Sequence, residues 1–541
     1  MGYPDSLRAS IKILEETRKE RATQKIPLLS LEQKGELLSH FHPDYRPGAH
    51  REIPVGVNRG QKAVCELVDL LEAKCLVEPA RMDLNDIYLS VDVLVIGGGG
   101  GGLTAALFSH DGGAKVALAT KLRLGDSNTI MAEGGINAAI LPDDSPVIHY
   151  IDTMGGGSFT NIPSLVKALV LDSPDIIKWL QDLGVPFDRG ADADYPLPML
   201  VGGHTRSRVC SVGDSTGMSI IQVLRAESER RGIRILEFSP AVELLLDKRG
   251  QCAGAVLLDL ENNDYKVIRS KIVIIASGGI GRLHIQHFPT TNHYGATADG
   301  LVIAYRAGAE LAFMDSIQFH PTATAFPEQL LGLLVTEAAR ARGAQLVNVE
   351  GKRFINELET RDVVASANVR EVVGRKKGIV TPSGMQVIWL DTPLIEMING
   401  KGTVKHFYQH LYHRFIKYGI DFSREPILIY PAEHYQNGGI MTDDMGKTRI
   451  PNLYVVGEAA GGVHGRNRLG GNSLSDIFVF GRRAGIQAGK EFRDIRLEGL
   501  TLDHVGQYQK ELKEAGIESD RTSPLLLPDY RFEKSFPVFQ Q

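Results

Sequence analysis

One stretch limits what this chain can fold into: Val91-Asp-Val-Leu-Val-Ile-Gly-Gly-Gly-Gly-Gly-Gly-Leu-Thr-Ala-Ala-Leu107. Strand-forming residues run straight into glycines and then into a helix-forming Ala/Leu segment. Within it Gly97, Gly99 and Gly102 fit G-x-G-x-x-G. The first glycine permits a tight turn, the second lets the backbone approach a pyrophosphate, and the third lets helix and strand pack closely. The helix that follows aims unpaired N–H groups and a partial positive charge at the phosphates. A flexible linker would not carry apolar residues on both sides, so the stretch predicts a strand–helix unit that binds a dinucleotide.

The rest of the chain is compatible with a large enzyme. Its 541 residues suffice for two or three domains, and 43% hydrophobic content with a formal charge of -5 gives no electrostatic case for nucleic acid or an anionic membrane. No apolar run reaches the length of a membrane span, and the N-terminus lacks a signal-peptide core, so a cytoplasmic location is expected. Cys65, Cys75, Cys210 and Cys252 show no C-x-x-C spacing and cannot hold an iron–sulfur cluster within the chain. A one-electron wire would therefore belong to a partner.

Residues 1–87 read as a mainly helical extension, with Leu7, Ile11 and Leu14 on one face and Ser30 with Gln33 as a capping box. His40, His42 and His50 follow no ligand spacing, so no metal site is expected. Residues 88–308 alternate strand and helix. The second strand ends in Lys121 in place of the acidic residue that grips an adenosine ribose, which counts against a simple NAD site. Residues 235–275 read as antiparallel strands around the turn Asp247-Lys-Arg-Gly250. Residues 309–427 read as an inserted second domain, 428–490 as the return of the first, and 491–541 as a short helix and tail.

Several motifs carry chemistry: Gln318-Phe-His-Pro-Thr322, Thr336-Glu-Ala-Ala-Arg340, Glu359-Thr-Arg-Asp362, Ala432-Glu-His-Tyr435 and His464-Gly-Arg-Asn-Arg-Leu469. His320, Arg340, Arg361, His434 and Arg468 are the cationic or hydrogen-bonding groups one would gather around a dianion in an interdomain cleft.

This constellation resembles the flavoprotein subunits of succinate dehydrogenase and fumarate reductase, together with the related L-aspartate oxidases. The likeness runs over roughly residues 90–490 and includes the fingerprint, Lys121, Ser127-x-Thr129, Glu133-Gly134-Gly135, Asp299-Gly300, His320-Pro321-Thr322, Arg361-Asp362 and Asn467-Arg468-Leu469. It implies an α/β protein: a Rossmann-like FAD-binding domain, an inserted α+β capping domain for substrate, and the helical N-terminal extension. The FAD pyrophosphate would lie at Gly97, Gly99 and Gly102, and Ala276 and Asp299 near the nucleotide half. Ser127, Thr129, Gly134 and Gly135 would line the flavin, with Glu458, Ser473 and Leu474 at its ribityl chain and ring. Relatives that attach FAD covalently carry histidine where this chain has Asn128, so the FAD is expected to be non-covalent.

The resemblance further implies carboxylate binding by His320, Thr336, His434 and Arg468, and proton exchange with substrate carbon by Arg361, recharged through Glu337 and Arg340. The reaction would interconvert fumarate and succinate, with electrons passed to an iron–sulfur partner subunit. L-aspartate oxidation, reduction of another enoate and a non-catalytic FAD scaffold are the alternatives. Two departures stand out: Ala341-Arg342-Gly343 where many relatives have Gly-Glu-Gly, and Arg466 where a small residue is usual. Both are expected to raise the positive potential of the cleft or alter which dicarboxylate fits. The N-terminal extension is expected to replace an interface built elsewhere in relatives, so that deleting residues 1–80 would abolish partner binding but leave FAD bound.

Overall fold

The computed structural model describes residues 2–190 and 195–527. Its largest sheet places the strands Leu500–Thr501, Ala241–Asp247, Cys252–Asp259, Asp264–Ile275, Ile87–Ile96, Val116–Ala119 and Arg234–Leu236 in that order, with Leu453–Val455 alongside the end of Asp264–Ile275. The fingerprint strand Ile87–Ile96 is parallel to both neighbours, and Leu453–Val455 is parallel to Asp264–Ile275. Val93–Ile96 and Ile272–Ile275 are continuous apolar runs because helices or other strands cover both faces there. The register brings Ile96, Ala119, Ile275 and Val455 to the carboxyl edge side by side. Ligands of open α/β sheets bind at such an edge. The expected antiparallel strands around Asp247–Gly250 form the sheet's other half.

The fingerprint helix Gly100–Asp111 packs lengthwise on Asn472–Glu491. A Cβ on Gly481 would sit 2.8 Å from the Gly101 carbonyl oxygen, and one on Gly485 2.7 Å from that of Ala105, so only small residues allow this contact. Of the helices Pro146–Gly156 and Pro163–Asp182, which the sequence reading leaves unassigned, the second buries Leu165, Leu169 and Ile177 in the same core and the first packs against it.

The inserted region is α+β, as expected. Its antiparallel sheet runs Ile317–Thr324, Ile427–Gln436, Gln386–Asp391, Gln345–Val347, with Ile379–Val380 beside Gln386–Asp391. The expected boundary at 428 therefore falls inside a strand. Residues 428–436 pair with the insertion, setting Gln318 opposite Tyr435 and Phe319 opposite Glu433. A pairing across more than a hundred residues leaves no local sign of which sheet a strand joins.

The N-terminal extension is not a detachable module. The helix Asp5–Thr23 buries Leu7, Ile11 and Leu14 in one core with Val363, Trp389 and Leu428, and Arg18 and Arg21 pair with buried Asp391. The capping box at Ser30 and Gln33 is present. The helix Cys65–Leu71 packs Leu67 and Leu71 into the core that holds Leu301 and Tyr305 of the dinucleotide domain. Deleting residues 1–80 would thus strip apolar faces from both domains, and the expectation that FAD binding survives it is withdrawn. Leu14→Ala is expected to lower stability by about 3 kcal/mol through a cavity at a fully buried site. A denaturant midpoint matching wild type would show that this helix is not part of the core. After the expected short helix Asp503–Glu514, the strand Thr522–Ser523 pairs with Lys74–Cys75, tying the two ends of the chain together. No helix among the described residues is long and apolar enough to cross a membrane.

Candidate active site

At the carboxyl edge of the parallel strands lies a groove floored by Gly97–Gly101 and walled by Lys121, Ser127, Ala276, Asp299 and Glu458. Gly97 has φ +122°, and a Cβ there would lie 2.2 Å from the Ala276 carbonyl oxygen. Gly102 is not in the wall: its missing Cβ would meet the Gly97 carbonyl oxygen at 1.9 Å, so it sets the closeness of turn and helix. Lys121 reaches across to Asp299 at 2.5 Å and Thr297 at 2.7 Å. The glycine cradle at a helix N-terminus, with no side chain between it and the groove, fits a dinucleotide pyrophosphate.

Asn128, Thr129, Glu458 and Ile477 are shared between this groove and a second cavity of about 630 Å³. Gly134, Gly135, Arg361, His434, Arg468, Ser473 and Leu474 line that cavity, under the leucines of residues 330–334. The two adjoin as one site between the domains, a groove at the glycine turn continuing into the cavity that Arg361, His434 and Arg468 line. Asn128 is held in place rather than free: it donates to Asn292 at 2.6 Å and accepts from the His293 N–H at 2.7 Å. Asn292 in turn donates to Glu433 at 2.6 Å. Burial and then the neighbouring Glu458 push the Glu433 carboxyl well up, and burial pushes Glu458 to about 7. The sequence reading missed Asn292 and Glu433, because nothing local links a loop at 290 to a strand at 433.

Of the four arginines that line the cavity, Arg361 and Arg468 are the two the motifs point to. Arg468 donates to Gln318 at 3.0 Å and to Ser473 at 3.0 Å, and lies 4.4 Å from the ring centre of Tyr435. Those partners are neutral, and no carboxylate among the described residues forms an ion pair with it. Burial, reinforced by Arg361, pulls Arg468 down to about 9, still charged at neutral pH. Arg361 begins the helix Arg361–Val369 and presents Nε and Nη2 to one oxygen of Glu337 at 3.0 and 2.9 Å. The other Glu337 oxygen lies 3.2 Å from Arg340. Burial pushes Glu337 up, but Arg361 and Arg340 outweigh it and hold the carboxyl below its usual range.

Of the cationic or hydrogen-bonding groups expected from the motifs, the histidines belong to the second kind. Burial, with Arg361 next in effect, drives both His320 and His434 well below the ordinary value, so both are neutral. They lie on neighbouring strands with ring centres 5.0 Å apart. His434 meets Thr291 at 2.7 Å and faces the cavity, whereas His320 is packed behind it. Thr336 is also behind the wall, where its hydroxyl accepts from the Ala338 N–H at the start of the helix Glu337–Ala341.

The two departures from the motif pattern do not act on the cleft. Arg342 stacks 3.9 Å over the Phe407 ring and reaches Tyr408, and Arg466 pairs with Asp315 at 3.0 Å; neither lines the cavity. The expectation that they raise its positive potential is corrected. Their backbone segments carry them outward, a direction that residue type alone does not encode. Arg282, His410 and Arg414 line the cavity instead, and the sequence reading had singled out none of them.

A family model described as an FAD binding domain matches residues 92–474. The chain is 40% identical over 421 residues to a fumarate reductase (CoM/CoB) subunit of Methanothermobacter marburgensis, covering 75% of this chain and 73% of that one. It is 35% identical over 408 residues to L-aspartate oxidase of Streptomyces coelicolor, covering 73% and 68%. Among solved structures, it superposes on the FrdA chain of E. coli quinol fumarate reductase with a TM-score of 0.70 at 30% identity, covering 79% and 74%. The chain belongs to the family of succinate dehydrogenase and fumarate reductase flavoproteins, which also contains the L-aspartate oxidases, and it is an FAD-dependent oxidoreductase.

Proposed function

We propose that the protein is the catalytic flavoprotein of a fumarate reductase or succinate dehydrogenase system, interconverting fumarate and succinate. One observation carries this reading. Arg468, buried without an acidic partner, and Arg361, only part-neutralised by Glu337, face one cavity that opens onto the flavin groove. A buried cation without a counter-ion is costly, and a dicarboxylate removes that cost for both ends at once.

When bound, FAD would be held beside Asn128 without a covalent link and would supply hydride transfer at flavin N5. The chain's own residues do the rest. Arg468 and neutral His434 bind a substrate carboxylate, and Arg468 stabilises the negative charge that develops there as hydride arrives. Arg361 holds a proton at the guanidinium facing the second alkene carbon. An arginine parts with a proton only with difficulty, and its fixed contact with Glu337 provides a group to recharge it from the Arg340 side. His320 and Thr336 support the binding wall from behind. The name of the Methanothermobacter relative as a subunit supports a partner subunit; on this proposal that partner would be an iron–sulfur protein that exchanges electrons with the flavin, and the complex would work in the cytoplasm.

The experiment is anaerobic reoxidation of the photoreduced protein by fumarate, other enoates and oxygen in turn. Fumarate-selective reoxidation supports the proposal. Iminoaspartate formed from L-aspartate would establish the oxidase reading instead, preference for another enoate would reassign the substrate, and inertness to every acceptor would indicate a scaffold.

A further inference from the structure

Away from the active site, the fold assembles a side-chain cluster from two distant segments. Asp44 and His50 come from the N-terminal extension, and His284 from the loop that leads to Thr290, Thr291 and Asn292. One ligand-type atom from each of the three lies within 4.8 Å of the others. Asp44 and His284 are fully buried, and His50 is 16% exposed at its side chain, which leaves a way in.

The details are those of a ligand set rather than a completed hydrogen-bond network. Asp44 Oδ2 and His50 Nε2 face each other at 3.5 Å, and neither makes a hydrogen bond among the described residues. A buried carboxylate oxygen left in this way is expensive. Two ligands of one tetrahedral zinc with bonds of about 2.0–2.1 Å stand roughly 3.3–3.4 Å apart. His284 Nδ1 lies 2.6 Å from Glu66, the carboxylate–histidine arrangement that fixes an imidazole with Nε2 turned toward a metal. His284 Nε2 itself lies 2.6 Å from Asp44 Oδ1.

We propose that Asp44, His50 and His284 bind one divalent cation of the zinc class, with Glu66 orienting His284 and water as the remaining ligand. Carboxylate and imidazole donors in this number suit zinc better than calcium or magnesium, which prefer all-oxygen shells. The incoming ion displaces the proton on His284 Nε2 to solvent, and Glu66 keeps the Nδ1 proton; no electrons are transferred. The ion fastens the extension to the 284–292 loop. That loop holds Asn128 through Asn292 and His434 through Thr291, so occupancy of the ion site supports the order of the flavin and substrate walls.

The test compares full-length, FAD-loaded wild type with His50→Ala, chosen because His50 is the accessible member, and with Glu66→Gln. Each is dialysed against zinc and its metal content measured by mass spectrometry; thermal midpoints are recorded before and after chelation, and cobalt is substituted for its visible spectrum. Wild type should hold one ion per chain, lose thermal stability on chelation and show tetrahedral cobalt bands. Glu66→Gln should bind zinc about 10–100-fold more weakly. His50→Ala should retain FAD, with a flavin spectrum matching that of chelated wild type, and show neither the ion nor the chelator effect. Equal zinc content in wild type and His50→Ala, or a wild type that takes up no zinc and ignores chelator, would overturn the site and leave His284 as a histidine bridging two carboxylates.

Discussion

Replacing Arg361 by lysine is expected to lower the rate of fumarate reduction by about 10²–10⁴-fold, the usual contribution of a positioned acid, with the flavin spectrum unchanged. The reason is geometric. Arg361 spends Nε and Nη2 on Glu337, and Nη1 makes only one long bond, donating to Gln318 Oε1 at 3.5 Å. Lysine keeps the charge but offers one compact ammonium, which can pair with Glu337 or face substrate, not both. The fall should appear in kcat more than in KM, because on the proposed function Arg468 and His434, which line the same cavity, would still hold a carboxylate. Steady-state kinetics with fumarate and an artificial donor measure it, and turnover near wild type would remove Arg361 from the role of acid.

The second large effect concerns the cofactor. Gly102→Ala is expected to yield protein without bound FAD and destabilised by about 3 kcal/mol. The new methyl would stand 1.9 Å from the Gly97 carbonyl oxygen, and that oxygen belongs to the backbone of the glycine turn proposed to hold the pyrophosphate rather than to a side chain that can swing away. Gly506→Ala is the control: it lies in the helix Asp503–Glu514 with nothing within 4 Å of its missing Cβ, and should gain up to about 1 kcal/mol. Flavin absorbance per chain and a denaturant midpoint decide the matter. A yellow Gly102→Ala protein with the wild-type midpoint would mean the helix and turn can move apart freely.

These two predictions differ in how far the sequence alone could reach them. The closeness of Ala276 to Gly97 and of Ser127 to Gly99 was not legible, whereas Gly97 and Gly102 were, because the positive φ of the one and the contact of the other with Gly97 are set within six residues. The same holds for the capping box at Ser30 and Gln33 and for the buried face of Leu7, Ile11 and Leu14. Arg361, Glu337 and Arg468 were named from their motifs, but the contacts that define their chemistry join residues 337 to 361 and 318 to 468.

What only the tertiary structure decided is of one kind. It placed residues 428–436 in the capping sheet, turned Arg342 and Arg466 away from the cleft, and built the N-terminal extension into both domain cores. It made His320 and His434 neutral, since burial and neighbouring guanidiniums, not residue type, set their protonation. It also set His284 against Asp44 across 240 positions of sequence. Backbone preferences and hydrophobic periodicity act over a few residues and so can be read along the chain. Charge state, strand partnership and ligand sets depend on which distant groups share a low-dielectric space, and that is fixed only when the chain has packed.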